Sequence, residues 1–302
     1  MADGLMLADE PEQVVVFNSH RDLLVGLAYR MLGSVHDAED VVQDAWLRWI
    51  GVDAATVLDP RSFLIKVTSR LAIDRLRQVQ AQRTAYSGPW LPEPILISPD
   101  AAETLEKTES LSMAMMVVLE TLSPLERAVF VLREAFDFGY DEIAETLGRS
   151  EPAIRQLAHR ARDHVTHGRP RFAADHATLH RATASFMNAC MGGDVTSLLA
   201  ILSPSVELVA DSGGVARAPR RVMLGQDKIA RFLVSTWENA GLDDPAVRLA
   251  TLNADPAIVV TSAGVPVSAF VLEVADGMVQ KIYLVANPDK LTHLTQVQVP
   301  GS

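Results

Sequence analysis

Apolar residues recur every three to four positions through the first part of the chain, in three runs. The first holds Leu23, Leu24, Leu27, Ala28, Met31 and Leu32, and the second holds Val42, Ala45, Trp46 and Trp49. The third, from about Pro60 to Arg83, holds Phe63, Val67, Leu71 and Leu76. This period predicts amphipathic helices with those residues facing inward. Gly33 and Ser34 separate the first two as a stop and a restart. Helices this short bury a core only by packing on one another.

The pattern breaks at Ser87. From there to Pro99 the sequence reads SGPWLPEPILISP, four prolines in thirteen residues, which predicts an extended linker. Trp90, Leu91, Ile95, Leu96 and Ile97 are costly to leave in water, so the linker is expected to dock on another part of the chain or to pack locally. A second helical block follows from about Glu103 to His167, with its strongest signals at helix ends. Ser123-Pro-Leu-Glu126 forms a capping box with proline at the first helical position. Tyr140 to Leu147 is stopped by Gly148, and Ser150 caps a new helix with Pro152 in its first turn. A short helix, a tight glycine turn and a basic second helix form a helix-turn-helix signature. In that second helix Ile154, Leu157, Ala158, Ala161 and Val165 keep the core side, leaving Arg155, Gln156, His159, Arg162 and Asp163 more outward.

After Pro170 the pattern becomes mixed. His180–Met191 reads as a helix stopped by Gly192-Gly193, Asp194 caps another through Leu202, and Gln226–Glu238 is helical. Val206–Val209, Val247–Leu252, Ile258–Thr261, Val265–Val274 and Met278–Ala286 read as strands, with turns such as Asp276-Gly277 between them. Helices followed by an antiparallel meander predict an α+β domain of about 120 residues.

Composition narrows the class. With 302 residues and 48% hydrophobic content the chain supports packed cores, and its length favours two or more domains. The single cysteine, Cys190, excludes an internal disulfide framework and a cysteine-rich zinc site. It reads as a core thiol. The acidic start lacks an apolar signal region and no 18-residue apolar run follows, so a cytoplasmic protein with no membrane partner is expected.

The net charge of −11 argues at first against a nucleic-acid partner, but it is an average over opposed segments. Residues 36–53 carry Asp37, Glu39, Asp40, Asp44 and Asp53 against Arg48, a balance of −4. Residues 61–83 carry six basic residues against Asp74, a balance of +5, and residues 149–171 reach +4 with three histidines besides. Such islands also occur as plain solvated helix faces, so charge alone leaves the partner open.

The motifs in this order resemble a known family. His36 to Arg48 resembles region 2.2 of bacterial extracytoplasmic-function sigma factors, Phe63 to Arg77 is similar to their regions 2.3 and 2.4, and Leu122 to Val165 is similar to region 4. Trp90-Leu-Pro-Glu-Pro94 and Asn287-Pro-Asp-Lys-Leu291 resemble signatures of the subgroup with a C-terminal SnoaL-like extension of the NTF2-like fold. The implied organisation is multidomain: a region 2 bundle at 14–83, a proline-rich linker at 84–102, a region 4 helix-turn-helix at 103–168, and an α+β NTF2-like cone at 172–295.

The resemblance implies a sigma subunit that binds the RNA polymerase core, through the β′ clamp and the β flap, and promoter DNA. Asp37, Glu39, Asp40, Gln43 and Asp44 would face polymerase; a solvated, dipole-stabilised helix start is the plain alternative for these residues. Arg70, Asp74, Arg75 and Arg77 would lie on the −10 helix, where arginines on phosphates give affinity without specificity. Ser150, Arg155, Gln156, His159 and Arg160 would meet the −35 element, since Arg and Gln make bidentate contacts to bases. Arg160 falls beside the buried seam by periodicity.

In the subgroup the extension controls activity in place of a separate anti-sigma factor. Trp90, Leu91 and Pro92 of the linker, with Asp211, Asn287, Pro288, Asp289 and Lys290, would form that regulatory contact. The loop that usually reads Asp-Gly-Gly-Gly-Lys is here Asp211-Ser-Gly-Gly-Val215, which leaves its role open. A competing reading is a helix-turn-helix regulator whose C-terminal domain binds or converts a small ligand. No histidine lies between His180 and His293, which leaves Asp211 or Glu207 as the available bases; no catalytic residue, metal or cofactor is expected.

Overall fold

The computed structural model describes residues 12–83, 86–96, 112–168, 174–216 and 218–296. Ile97, the helix start expected near Glu103, and Arg169 and Arg171 of the second basic segment lie outside them. The chain divides into two compact units, Met1–Val79 with Ser123–Ala161 and Gln80–Leu122 with Arg162–Ser302.

The first unit is helical. Helices α1 (Glu12–Leu32) and α2 (Val35–Ile50) are joined where Gly33 takes a left-handed φ of 70° and the Ser34 side chain accepts the Asp37 N–H at 3.2 Å. Trp49 is fully buried, its Nε1 donating to the Gln13 carbonyl at 2.9 Å, so its indole is both packed and satisfied. Helix α3 (Pro60–Arg83) buries Leu64, Ile65, Thr68, Ser69, Ala72, Ile73 and Leu76. The inward face expected from Phe63, Val67 and Leu71 is therefore corrected: those three are half-buried, and Leu76 alone of that set is fully inside. Two small polar residues, Thr68 and Ser69, occupy the seam and hide its period.

Helix α5 (Pro124–Phe130) carries the expected capping box: the Ser123 N–H donates to Glu126 Oε2 at 3.2 Å while Ser123 Oγ accepts the Glu126 N–H at 3.4 Å. Its buried Arg127 donates Nε–H to the Arg30 carbonyl at 2.9 Å, tying it to α1. Helix α6 (Tyr140–Leu147) ends at Gly148 in the left-handed conformation, and α7 (Glu151–Gly168) follows, burying Ile154, Ala158 and Ala161. The helix-turn-helix is present as expected.

The second unit holds α4 (Met113–Leu119), α8 (His176–Met191), α9 (Val195–Ile201), α10 (Gln226–Glu238) and a six-stranded sheet. Its strands are β1 (Leu202–Asp211), β2 (Met223–Leu224), β3 (Ala246–Leu252), β4 (Asp255–Ser262), β5 (Val265–Ala275) and β6 (Met278–Val285), ordered β2-β1-β6-β5-β4-β3. The meander β3 to β6 is antiparallel as expected, but β1 pairs with β6 in parallel, so the sheet is mixed.

Strand alternation gives this sheet two apolar faces. One, with Leu208, Ile258, Leu272 and Leu284, packs against α8, α9 and α10. The other, with Ala257, Val259, Ala269, Val271, Tyr283 and Val285, packs with Leu91 and Leu96 of the linker, Met113 of α4, and Leu291 and Leu294. The linker and α4 thus complete the core of the C-terminal domain. Burial of Leu91 alone, at 1% exposure, is worth about 1.5–3 kcal/mol.

Candidate functional site

The second sheet face leads to a buried polar cluster. Asp211, at the end of β1, is fully enclosed, and both its oxygens are used. Oδ1 accepts the Tyr86 hydroxyl at 2.5 Å and the Gly213 N–H at 3.1 Å. Oδ2 accepts the Leu91 N–H at 2.8 Å and the Lys290 ammonium at 2.6 Å. Lys290 also donates to the Leu91 carbonyl, and Asn287 Nδ2 donates to the Tyr86 hydroxyl at 2.9 Å. Both backbone polar groups of Leu91 are therefore bonded to charged side chains of the C-terminal domain, which we call the linker clasp.

Burial pulls the Lys290 ammonium down to about 8 against the opposing pull of Asp211. Burial and the neighbouring carboxylate raise the Tyr86 phenol well above its ordinary value. Two cations lie over the Trp90 ring, Arg83 at 3.3 Å and Lys290 at 3.8 Å from its centroid. Arg83 is paired in turn with Glu120.

Of the residues expected to form this contact, Trp90, Leu91, Asp211, Asn287 and Lys290 come together. Pro92 is buried beside them in the chain, while Pro288 and Asp289 are exposed, Asp289 giving its N–H to Asn287 Oδ1. Gly213 takes a φ of 61°, and a Cβ there would meet Asn287 at 2.7 Å, so this glycine is required. Ser212 stands at a position without positive φ and Val215 is exposed, while the cation of the cluster comes from Lys290. Tyr86 and Glu120 give no signal in the sequence, because isolated polar residues carry no periodicity, and Arg83 reads there only as one charge of the basic stretch. Glu207, the other candidate base, pairs with Lys281 at 3.2 Å.

A second, half-buried acid lies on the same sheet. Asp255 accepts the Met113 N–H at the start of α4 at 3.1 Å, and burial, with Glu273 adding repulsion, pushes its carboxyl up to about 7. The folded state therefore binds more protons than the unfolded chain between about pH 4 and 7. This group's stabilisation is complete below that window and is lost as pH rises through it. Asp255→Asn keeps an acceptor without the buried charge, so it is expected to be more stable than the parent above pH 7, by on the order of 2–4 kcal/mol, with no difference near pH 4. Thermal melts of both proteins from pH 4 to 8 check this.

In the first unit, Glu39, Asp40, Gln43 and Asp44 are exposed on α2, with Leu47 beside them 56% exposed. Asp37 differs: it is buried and gripped by Arg75, Nε–H at 2.8 Å and Nη2–H at 2.5 Å, which joins α2 to α3. All six basic residues of 61–83 are engaged within the protein. Lys66 pairs with Glu145, Arg70 donates to the Thr146 carbonyl, Arg61 lies over Phe138, and Arg77 pairs with Asp74. Arg75 and Arg83 hold Asp37 and Glu120. Three of those partners, Phe138, Glu145 and Thr146, belong to the helix-turn-helix segment.

On α7, Ser150, Arg155, Gln156, His159 and Arg160 are all exposed. Arg155 is held by Glu151 at 2.6 Å and lies over Tyr140, and Arg160 pairs with Glu126 at 3.0 Å. Among the described residues no helix is long and apolar enough to cross a membrane, and no cluster of histidine, cysteine and carboxylates could hold a metal.

Comparison with known proteins agrees with this layout. The Sigma-70 region 2 family matches residues 16–82 and the Sigma-70, region 4 family matches residues 112–165. The ECF RNA polymerase sigma factor SigJ of Mycobacterium tuberculosis is 38% identical over 294 residues, 93% of this chain and 93% of that protein. The probable ECF RNA polymerase sigma factor SigI of the same species is 31% identical over 283 residues, 92% of this chain and 94% of that protein. The crystal structure of SigJ aligns with a TM-score of 0.73 at 36% identity, over 93% of this chain and 98% of that one, so the likeness extends through the C-terminal domain. The chain belongs to the extracytoplasmic-function family of RNA polymerase sigma factors, non-enzymatic subunits that direct the core enzyme to promoters.

Proposed function

We propose that this sigma factor is held in a closed, low-activity form by its own C-terminal domain, and that releasing the linker clasp opens it. The observation that carries the reading is Asp211, fully buried and bonded to both Tyr86 and Leu91 of the segment that joins regions 2 and 4. Regions that read separate −10 and −35 elements need that segment free to extend, whereas here it and α4 complete the core of another domain. The internal partners of Lys66 and Arg70 support the same reading, because phosphate contacts by these side chains require those bonds to break.

In the open form Glu39, Asp40, Gln43 and Asp44, with the exposed Leu47, dock on the β′ clamp, and Asp37 serves to fix α2 on Arg75. Region 4 engages the β flap and the −35 element. A covalently attached inhibitor makes a separate anti-sigma factor unnecessary, and the protein acts in the cytoplasm with polymerase. Affinity for core polymerase tests the reading: a chain lacking residues 172–302 should bind more tightly than the full-length protein, and equal or weaker binding overturns it.

On α7, Arg155→Ala is expected to weaken −35 binding by about 1–3 kcal/mol if the guanidinium leaves Glu151 for a base edge. Competition between promoter fragments changed one base at a time checks this. A uniform loss across all fragments would place Arg155 on phosphate instead.

A further inference from the structure

The two helices of the helix-turn-helix meet at an aromatic ring. Tyr140 opens α6, and two guanidinium groups lie over its ring, Arg133 at 5.1 Å and Arg155 at 4.6 Å from the centroid. Both fall within the roughly 6 Å over which a cation is attracted to a ring face. The ring is itself mounted on fixed groups. Arg133, on the π-helical turn Val131–Ala135, donates Nη1–H to the carbonyl of the buried Phe138 at 2.8 Å. The Gly139 N–H donates to Glu142 Oε2 at 2.6 Å, which sets the backbone where α6 begins. Both helices therefore hold Arg155: α6 by the Tyr140 ring, and α7 by Glu151, whose Oε1 accepts Nε–H at 3.0 Å and Nη2–H at 2.6 Å.

These two contacts differ in kind. Glu151 takes an N–H edge of the guanidinium, the part that an acceptor on DNA also needs, and the pair is exposed, where ion pairs contribute little. That contact is exchangeable. The ring takes the flat face and uses no N–H, so it can hold the side chain before and after the exchange. Arg155 lies one turn in from Glu151, at the end of the second helix that meets base edges in this motif. An arginine already fixed in direction gives up less rotamer freedom on binding, and its planar fork bonds best to two acceptors in one plane. Guanine presents O6 and N7 in this way in the major groove, whereas phosphate contacts carry no base preference.

We propose that Tyr140 is a positioning residue for promoter recognition: its ring aims Arg155 so that the guanidinium, on leaving Glu151, meets a guanine of the −35 element. This step rests on the reading of Arg155 as a base contact given above.

The test uses holoenzyme assembled from core polymerase and the full-length chain, in competition between −35 fragments changed one base at a time. Tyr140→Leu should lower discrimination about threefold or more at the same base position where Arg155→Ala lowers it. Tyr140→Phe keeps the ring and should retain the discrimination. Adding Tyr140→Leu to Arg155→Ala should cost nothing further at that position, because the group that the ring aims is already gone. A ring that served only the packing of α6 would weaken every fragment alike, and its loss would add in full to that of Arg155→Ala. Either result overturns the positioning role, as does a Tyr140→Phe protein that discriminates no better than Tyr140→Leu. Unchanged base preference in Arg155→Ala overturns the base contact itself, and the aim of the ring with it.

Discussion

Asp211→Ala should detach the linker from the C-terminal domain and lower the stability of the second unit by about 3–5 kcal/mol. The size of the effect follows from what the carboxylate leaves behind. Lys290 is almost wholly buried and loses its counter-charge, the Leu91 N–H loses its acceptor, and the Tyr86 hydroxyl loses a 2.5 Å bond. Breaking a buried pair on one side costs far more than the pair itself contributes, because an uncompensated ion stays in a low-dielectric site. Against a total stability of about 5–15 kcal/mol for a typical domain, the loss should appear as a lower melting temperature and rapid proteolysis around residues 86–96. The double variant Asp211→Asn with Lys290→Met removes both charges, so it should recover part of the loss. A single variant as stable and as protease-resistant as the parent would show that the cluster does not hold the linker.

Deleting residues 172–302 is the second large perturbation. It removes the sheet, and with it the apolar face that covers Leu91, Leu96 and Met113. It also removes Asp211, Asn287 and Lys290 at once, so Tyr86 and Trp90 lose their bonded partners. The helical unit keeps its own core, built on Trp49, Leu24, Leu27, Leu64 and Leu76, and is expected to remain folded. The linker and α4 should then exchange amide hydrogen freely, and affinity for core polymerase should rise about tenfold or more, which corresponds to about 1.4 kcal/mol or more of released docking energy. Hydrogen exchange of the truncated protein checks the first expectation. Protection of residues 86–96 equal to that in the full chain would mean that another part of the protein holds them.

Much of this fold is legible in the order of residues, for reasons that are local. Ser34, the Ser123–Glu126 box and Gly148 mark helix ends because a cap is a contact between near neighbours in sequence. The apolar linker betrays itself as a docked segment because Trp90 and Leu91 cannot rest in water. What sequence hides is long-range. The parallel pairing of β1 with β6 joins strands separated by some of the longest stretches of the domain, and no periodicity encodes it. The inner face of α3 is misread because Thr68 and Ser69 sit in a seam that an apolar count passes over. Asp37 reads as surface by its place in an acidic run, and its burial is set by Arg75 on another helix. Tyr86, Arg83 and Glu120 become visible only once Asp211, Trp90 and the end of α4 are brought together. The charge segments are likewise a half-truth until their partners are known: each basic residue of 61–83 has an internal partner, which the net charge of the stretch does not reveal.

Run-off transcription decides whether the C-terminal domain closes this sigma factor. Core RNA polymerase would be supplied with the full-length protein, Asp211→Ala or the chain lacking residues 172–302, on a library of templates with varied −10 and −35 elements. All three are expected to initiate at a shared set of promoters, with Asp211→Ala and the truncated chain giving more transcript than the full-length chain. Equal output from all three, or less from both opened forms, would contradict it.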